Sequence, residues 1–137
     1  MALDEKKHVE QVSGWYLKEQ LDFDKRLIRG RYEALKEYLM GPKGLELGSA
    51  DGQMTQFLLV DFESLTIVDG APELLEVIPE APNLTKVHSL FEKFKPTEKF
   101  NTIVMEHILE HVENPVALIG LAKRWLAPGG RMLLGVP

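Results

Sequence analysis

Over residues 9–40 the apolar positions recur at helical spacing; after Gly41-Pro42 they gather into short runs broken by glycine, proline and polar stretches. In the first region Leu27, Ile28, Leu35 and Leu39 keep a period near 3.6, with Tyr32 and Tyr38 alongside. This predicts helix in two pieces, broken near Leu21-Asp22-Phe23-Asp24, with Lys25, Arg26, Arg29 and Arg31 forming a solvated cationic face. Gly41-Pro42 is expected to end that helix, because glycine suits the C-terminal cap and proline cannot continue the turn. The period then changes. Gly44-Leu45-Glu46-Leu47 reads as a first strand, 53–59 as helix and 65–68 as a second strand. Pro72 opens a helix to about residue 78, followed by a third strand over 84–88 and a fourth, rich in β-branched residues, over 101–105. Pro115 starts a helix to 126, Pro128-Gly129-Gly130 turns the chain, and 131–136 forms a fifth strand. Alternating strands and helices imply an α/β fold, a doubly wound and mostly parallel sheet with right-handed crossovers. Strand order 3-2-1-4-5 follows, with a ligand crevice beyond the carboxyl ends of strands one and four. The expected division is a helical segment over 1–40 and a ligand-binding domain over 41–137.

Composition narrows the class without changing this picture. The 137 residues are 45% hydrophobic and 27% charged, ordinary for one globular domain. Net charge is −5 and no long block of like charge occurs, so no nucleic-acid partner is expected. The chain has no cysteine, which excludes disulfides and thiolate zinc sites. No apolar run is long enough for a membrane span, and the first residues lack the apolar stretch of a signal peptide. A soluble, cytoplasmic protein is the expectation.

Candidate chemistry concentrates after the first strand, in Glu46-Leu47-Gly48-Ser49-Ala50-Asp51-Gly52. Small residues at Gly48, Ala50 and Gly52 remove bulk where backbone must turn sharply and lie against a ligand. A dinucleotide fingerprint would need glycine where Gln53 stands. Glu46 and Asp51 would also repel a pyrophosphate, whereas a sulfonium cofactor carrying an ammonium group is cationic at that end. Asp69, with Gly70 beside it, closes the second strand, and its two acceptor oxygens match the two vicinal hydroxyls of an adenosyl ribose. The plain alternative is a glycine turn and an ordinary acid at a strand end.

These segments resemble the class I S-adenosylmethionine-dependent methyltransferases, in particular the methyltransferase domains of the ubiquinone-biosynthesis and related small-molecule groups. Leu45 to Gly52 looks like their first motif, with Ala50 in place of the commoner glycine, and Ile67-Val68-Asp69 looks like the acidic second motif. Phe100 to Val112 followed by Asn114-Pro115 is similar to the fourth-strand motif, and Leu126-Ala127-Pro128-Gly129-Gly130-Arg131 to the turn into strand five. The resemblance runs from about residue 35 to 137. It implies a Rossmann-like sheet and S-adenosylmethionine as cofactor. Glu46, Gly48, Ala50 and Gly52 would then wrap the methionyl portion, and Asp69 and Gly70 would hold the ribose. Ser89, Leu90 and Phe91 would meet the adenine, with Met105 or Glu106 across the cofactor. Leu90 stands near the position where the family carries an acid, and Asn101 replaces an aspartate of mainly structural role.

Glu106-His107-Ile108-Leu109-Glu110-His111 contains His-x-x-Glu-His, also the inverted zinc-protease signature. That reading requires a long helix and a third ligand. Here the string follows a strand directly, Pro115 closes the segment, and only His8 and His88 remain as histidines, so no metal is expected. In the loop after strand four, His107 or His111 could take a proton from an acceptor hydroxyl. Alternatively Glu110 and His111 merely fix the loop and cap the next helix; His107 is the candidate catalytic residue. Trp15 and Tyr16 either fold over the cofactor or pack the first helix onto the domain.

The family's sheet has seven strands, so the expectation is a domain lacking the last two. Its exposed strand-five edge would be covered by missing chain or by a homo-oligomer. The leading reading is methyl transfer to a small-molecule acceptor. A module that binds S-adenosylmethionine or S-adenosylhomocysteine without turnover is the alternative, and a nicotinamide oxidoreductase is disfavoured by Gln53 and the acidic loop.

Overall fold

The computed structural model describes residues 22–137, and side chains from residue 25 onward. The first predicted helix piece, His8, Trp15 and Tyr16 therefore lie outside the described residues. Five strands form one sheet: β1 (Lys43–Leu47), β2 (Ser64–Asp69), β3 (Leu84–His88), β4 (Phe100–Glu106) and β5 (Leu126–Gly135). The order is β3-β2-β1-β4-β5 and every pairing is parallel, as the alternating pattern predicts.

Central strands of such a sheet are covered on both faces, which is why they read as continuous apolar runs rather than alternations. Leu45, Leu47, Phe100, Ile103 and Met105 pack with Leu118 and Trp125 in one cluster. Leu65, Ile67 and Val104 pack with Tyr32, Leu58 and Leu75 in a second cluster. The helices divide accordingly. On one face lie α1 (Asp22–Leu35), α2 (Thr55–Asp61) and α3 (Pro72–Glu76); on the other lies α4 (Pro115–Lys123). Burying a leucine such as Leu45 or Leu47 completely contributes about 1.5–3 kcal/mol. The start of α4 is built as its sequence suggests: proline takes the first turn, and Asn114 Oδ1 accepts from Ala117 N at 3.0 Å.

Several boundaries differ from the pattern, each for a local reason. The described helix begins at Asp22, within the expected break, and Leu21 lies outside the described residues. The helix ends at Leu35 in a 3-10 turn over Lys36–Tyr38, short of Met40. There the Thr102 hydroxyl takes over the backbone of Met40, accepting from its N–H at 2.8 Å and donating to its carbonyl at 2.7 Å. Gly41-Pro42 lies beyond the helix, with a cis peptide bond, and is not its cap. α2 begins at Thr55 rather than Gln53, because Gly52 is left-handed and the next residues still turn. α3 and α4 stop at Glu76 and Lys123.

The largest correction is at β5. Pro128-Gly129-Gly130 does not precede the strand but forms a bulge inside it: Leu126 faces Phe100 and Arg131 faces Thr102. Gly130 is required in the bulge, since a Cβ there would sit 2.9 Å from the Ala127 carbonyl oxygen and 3.0 Å from that of Phe100. Asn101, in place of aspartate, keeps a structural role by accepting from Lys43 N at 2.9 Å. No helix among the described residues is long and apolar enough to cross a membrane.

Candidate functional site

The carboxyl ends of β1, β2 and β4 open onto one cavity, at the point where the strand order reverses, as the topology requires of a parallel sheet. Its floor is the loop after β1. Gly48, Ala50 and Gly52 have φ of +76°, +48° and +89°, so three alternate residues are left-handed. Ala50 holds this region despite its Cβ, at about 1–2 kcal/mol. The loop is tied down from the next strand: Gly48 N donates to the Val68 carbonyl at 2.7 Å, and Ala50 N donates to Asp69 Oδ2 at 3.0 Å. Asp69 Oδ1 accepts from Ala71 N at 2.9 Å. Each carboxylate oxygen keeps a further lone pair toward the cavity that Asp69 lines.

Ten of the twelve predicted site residues line this cavity. They are Glu46, Gly48 and Ala50 from the first loop, Asp69 and Gly70 from the end of β2, and Ser89, Leu90 and Phe91 after β3. Glu106 and His107, at the end of β4, complete the set. Two stand elsewhere. Met105 is fully buried in the core beside Leu45 and Leu47, because adjacent strand residues point to opposite faces. Gly52 is absent from the lining; it makes room for Ile78, whose Cγ1 would meet a Cβ at 2.8 Å.

Four carboxylates line the cavity: Glu46, Asp51, Asp69 and Glu106. Glu46 is 2% exposed and accepts from the Thr55 hydroxyl at 2.5 Å. Burial pushes its carboxyl up to about 8, against the lowering effect of the Thr55 bond, and Asp69 and Glu106 add to the rise. Burial also raises Asp69, opposed by the Ala71 and Ala50 N–H groups, and raises Glu106, opposed by Arg31. Ser49 Oγ, Asp51 Oδ1 and Glu106 Oε2 are buried without a hydrogen-bond partner among the described residues. Among the described lining residues these carboxylates outnumber a single arginine, Arg31.

Sequence reasoning missed the contribution of α1. Ile28 and Arg31 line the cavity, and Arg31 Nε lies 3.7 Å from Glu106 Oε2. Arg31 is thus not part of a purely solvated cationic face. The signal was available: Arg31 falls between Ile28 and Leu35 at helical spacing, a charge on the apolar stripe. Tyr32, the next residue, donates to Asp61 Oδ2 at 2.7 Å and fixes the helix to α2.

His107 continues β4 with a left-handed backbone, φ +54°, while its N–H donates to the Gly135 carbonyl at 2.9 Å. Its Nδ1 lies 3.3 Å from Glu110 Oε1, which is 3.9 Å from His111 Nε2. Burial lowers the pKa of His107, Arg31 and His111 act in the same direction, and Glu110 opposes them. The His-x-x-Glu-His string lies in this bend and a short 3-10 turn (Leu109–His111), not on a long helix. No group of three or more histidine, aspartate or glutamate side chains among the described residues is placed to hold a metal.

Known proteins resemble this chain in sequence and in fold. A family described as a methyltransferase domain matches residues 17–137. An uncharacterized protein of Methanocaldococcus jannaschii is 28% identical over 132 residues, covering 95% of this chain and 59% of its own. A ubiquinone biosynthesis O-methyltransferase of Xanthomonas oryzae pv. oryzae is 26% identical over 121 residues, covering 78% of this chain and 48% of its own. The chain thus spans about half the length of these relatives. The crystal structure of the N-methyltransferase NodS from Bradyrhizobium japonicum in complex with S-adenosyl-L-homocysteine superposes with a TM-score of 0.75. It is 21% identical, and the match covers 96% of this chain and 70% of that one.

Proposed function

This chain belongs to the methyltransferase domain family, and we propose that it binds S-adenosylmethionine and serves transfer of its methyl group to a small-molecule acceptor. The observation that carries the reading is the four-carboxylate cavity over a left-handed loop. Its buried acceptors, Asp51 Oδ1 and Glu106 Oε2, and the raised Glu46 carboxyl suit a ligand bringing an ammonium, a sulfonium and hydroxyl donors. A pyrophosphate would meet repulsion there.

In this reading Glu46, Gly48 and Ala50 hold the methionyl end, Asp69 and Gly70 the ribose, and Ser89, Leu90 and Phe91 the adenine. Glu106 lies toward the acceptor side, held by Arg31. When bound, the cofactor supplies a methyl carbon whose bond to sulfur breaks, the pair remaining on sulfur, as a nucleophile bonds in line to carbon. The protein's own work is alignment and removal of the acceptor's proton. His107, with a pKa lowered by burial, is neutral at pH 7 and available to take it. The named activity of the ubiquinone-biosynthesis relative supports a small-molecule acceptor.

Titration calorimetry with S-adenosylhomocysteine tests the first half, with micromolar affinity expected. Absent binding together with tight NAD binding would overturn it. A methyl-release assay across small hydroxyl, amine and carbon acceptors tests the second half, and turnover only on proteins or nucleic acid would overturn the acceptor class.

A further inference from the structure

The cluster Glu110–His107–His111 lies on the strained bend after β4, and its internal order identifies a positioning residue. Two histidines line the cavity while the carboxylate between them, Glu110, does not. Glu110 Oε1 is 3.3 Å from Nδ1 of His107. An imidazole whose Nδ1–H faces a carboxylate presents Nε2 as its lone pair. A base held by a third group that itself never touches substrate is the recurrent architecture of proton abstraction.

Resting on the function proposed above, we infer that Glu110 is a positioning residue for an acceptor carrying a hydroxyl. It holds His107 in the Nδ1–H tautomer, so that Nε2 accepts the hydroxyl proton and the resulting imidazolium is stabilised by the carboxylate. Three further observations agree. The left-handed backbone of His107 persists because its N–H is pinned to Gly135, and strain of that kind collects where a side chain must be aimed. Arg31, on α1, faces the same imidazole and disfavours its protonation before substrate arrives. Among the described residues in that balance, Glu110 is the one that favours the charged form. The groups facing His107 are thus Arg31 from α1, and Glu110 and His111 from the turn after β4, with Glu106 its neighbour in sequence.

Nitrogen-15 NMR of the imidazoles in the free protein, across pH, tests this without any ligand. In wild type the neutral His107 is expected on Nδ1–H. Glu110→Gln, which keeps an acceptor oxygen but loses charge, should leave the tautomer and lower the His107 pKa. Glu110→Ala should lower the pKa and move the proton largely to Nε2. In turnover assays with a hydroxyl acceptor, Glu110→Ala should reduce kcat about tenfold or more, shift the acid limb of the pH profile downward, and change S-adenosylhomocysteine affinity less than twofold. In a His107→Ala background the same change should cost nothing further. An Nε2–H tautomer in wild type, an unmoved His107 pKa in both variants, or additive losses in the double variant would each overturn the inference. Failure of wild type to bind S-adenosylhomocysteine would instead remove the proposed function, leaving the NMR result to decide the pairing.

Discussion

The loops that leave β1 and β4 make an instructive pair. Both stand at the carboxyl end of a central strand, both line the same cavity, and both contain a left-handed residue with a side chain, Ala50 in one and His107 in the other. The first loop is made of small residues and tied by backbone hydrogen bonds to β2 and Asp69. The second carries its meaning in titratable side chains, with backbone anchored at a single point on β5. One loop provides shape, the other provides chemistry, and the two touch: a Cβ on Gly48 would lie 2.0 Å from Cδ1 of Ile108.

That contact gives the largest expected effect. Gly48→Ala should destabilise the fold by about 2–3 kcal/mol, combining the left-handed penalty with overpacking. Because the obstructing atom ends a flexible side chain, Gly48→Ala combined with Ile108→Ala should recover part of the loss in a chemical-denaturation cycle. Strict additivity would show that the loops are not packed as one unit. Next, Asp69→Ala should weaken S-adenosylhomocysteine binding by about 1–3 kcal/mol, through lost hydroxyl partners and a loosened Ala50 amide. Unchanged affinity by calorimetry would remove the ribose from Asp69.

Charge separates the loops further. With Glu46 raised to about 8, the folded protein holds a proton there that the unfolded chain releases near the ordinary carboxylate range. This contribution to stability is fully present below that ordinary range and is lost as pH rises through about 8. Binding a cation beside Glu46 should therefore expel up to about one proton per ligand at pH 7. Calorimetry in buffers of different ionisation enthalpy reads the release, and Glu46→Gln should abolish it. The smallest effect concerns strain. His107→Asn, which tolerates a left-handed backbone, should raise unfolding stability by about 0.5 kcal/mol while removing turnover, whereas Ala50→Gly should leave turnover nearly intact. Equal losses of turnover from both would erase the distinction between shape and chemistry.

The same contrast explains what was legible in the sequence. Strand order and the first loop could be read because apolar runs and alternate small residues are local consequences of burial and tight turning. The carboxylate of Asp69 was equally plain, since its position at a strand end follows from the strand itself. The β5 bulge was not legible: Pro128-Gly129-Gly130 looks like any turn until pairing with β4 on both sides of it is known. Arg31 reads with its charged neighbours as solvated, although its place between Ile28 and Leu35 on the apolar stripe marks it; the cavity it faces is visible only once α1 is packed. The motif offers Met105 or Glu106 to the cavity, and strand alternation sends Met105 into the core while Glu106 lines the cavity. The geometry of the second loop depends on the left-handed backbone of His107, a conformation histidine adopts more often than most residues but that no local pattern marks at this position.

Gly135 gives the outermost strand a say in the cavity. Its backbone is ordinary, yet a methyl group there would overlap Glu106, 2.2 Å from Oε1 and 2.4 Å from Oε2. The obstacle is a flexible carboxylate rather than a rigid wall, so any larger residue at this one position would act as a wedge, swinging Glu106 away from its place beside Arg31 while the sheet stayed intact. The shape of the cavity can then be altered from a position outside its lining, through the bulk of a single side chain on the neighbouring strand.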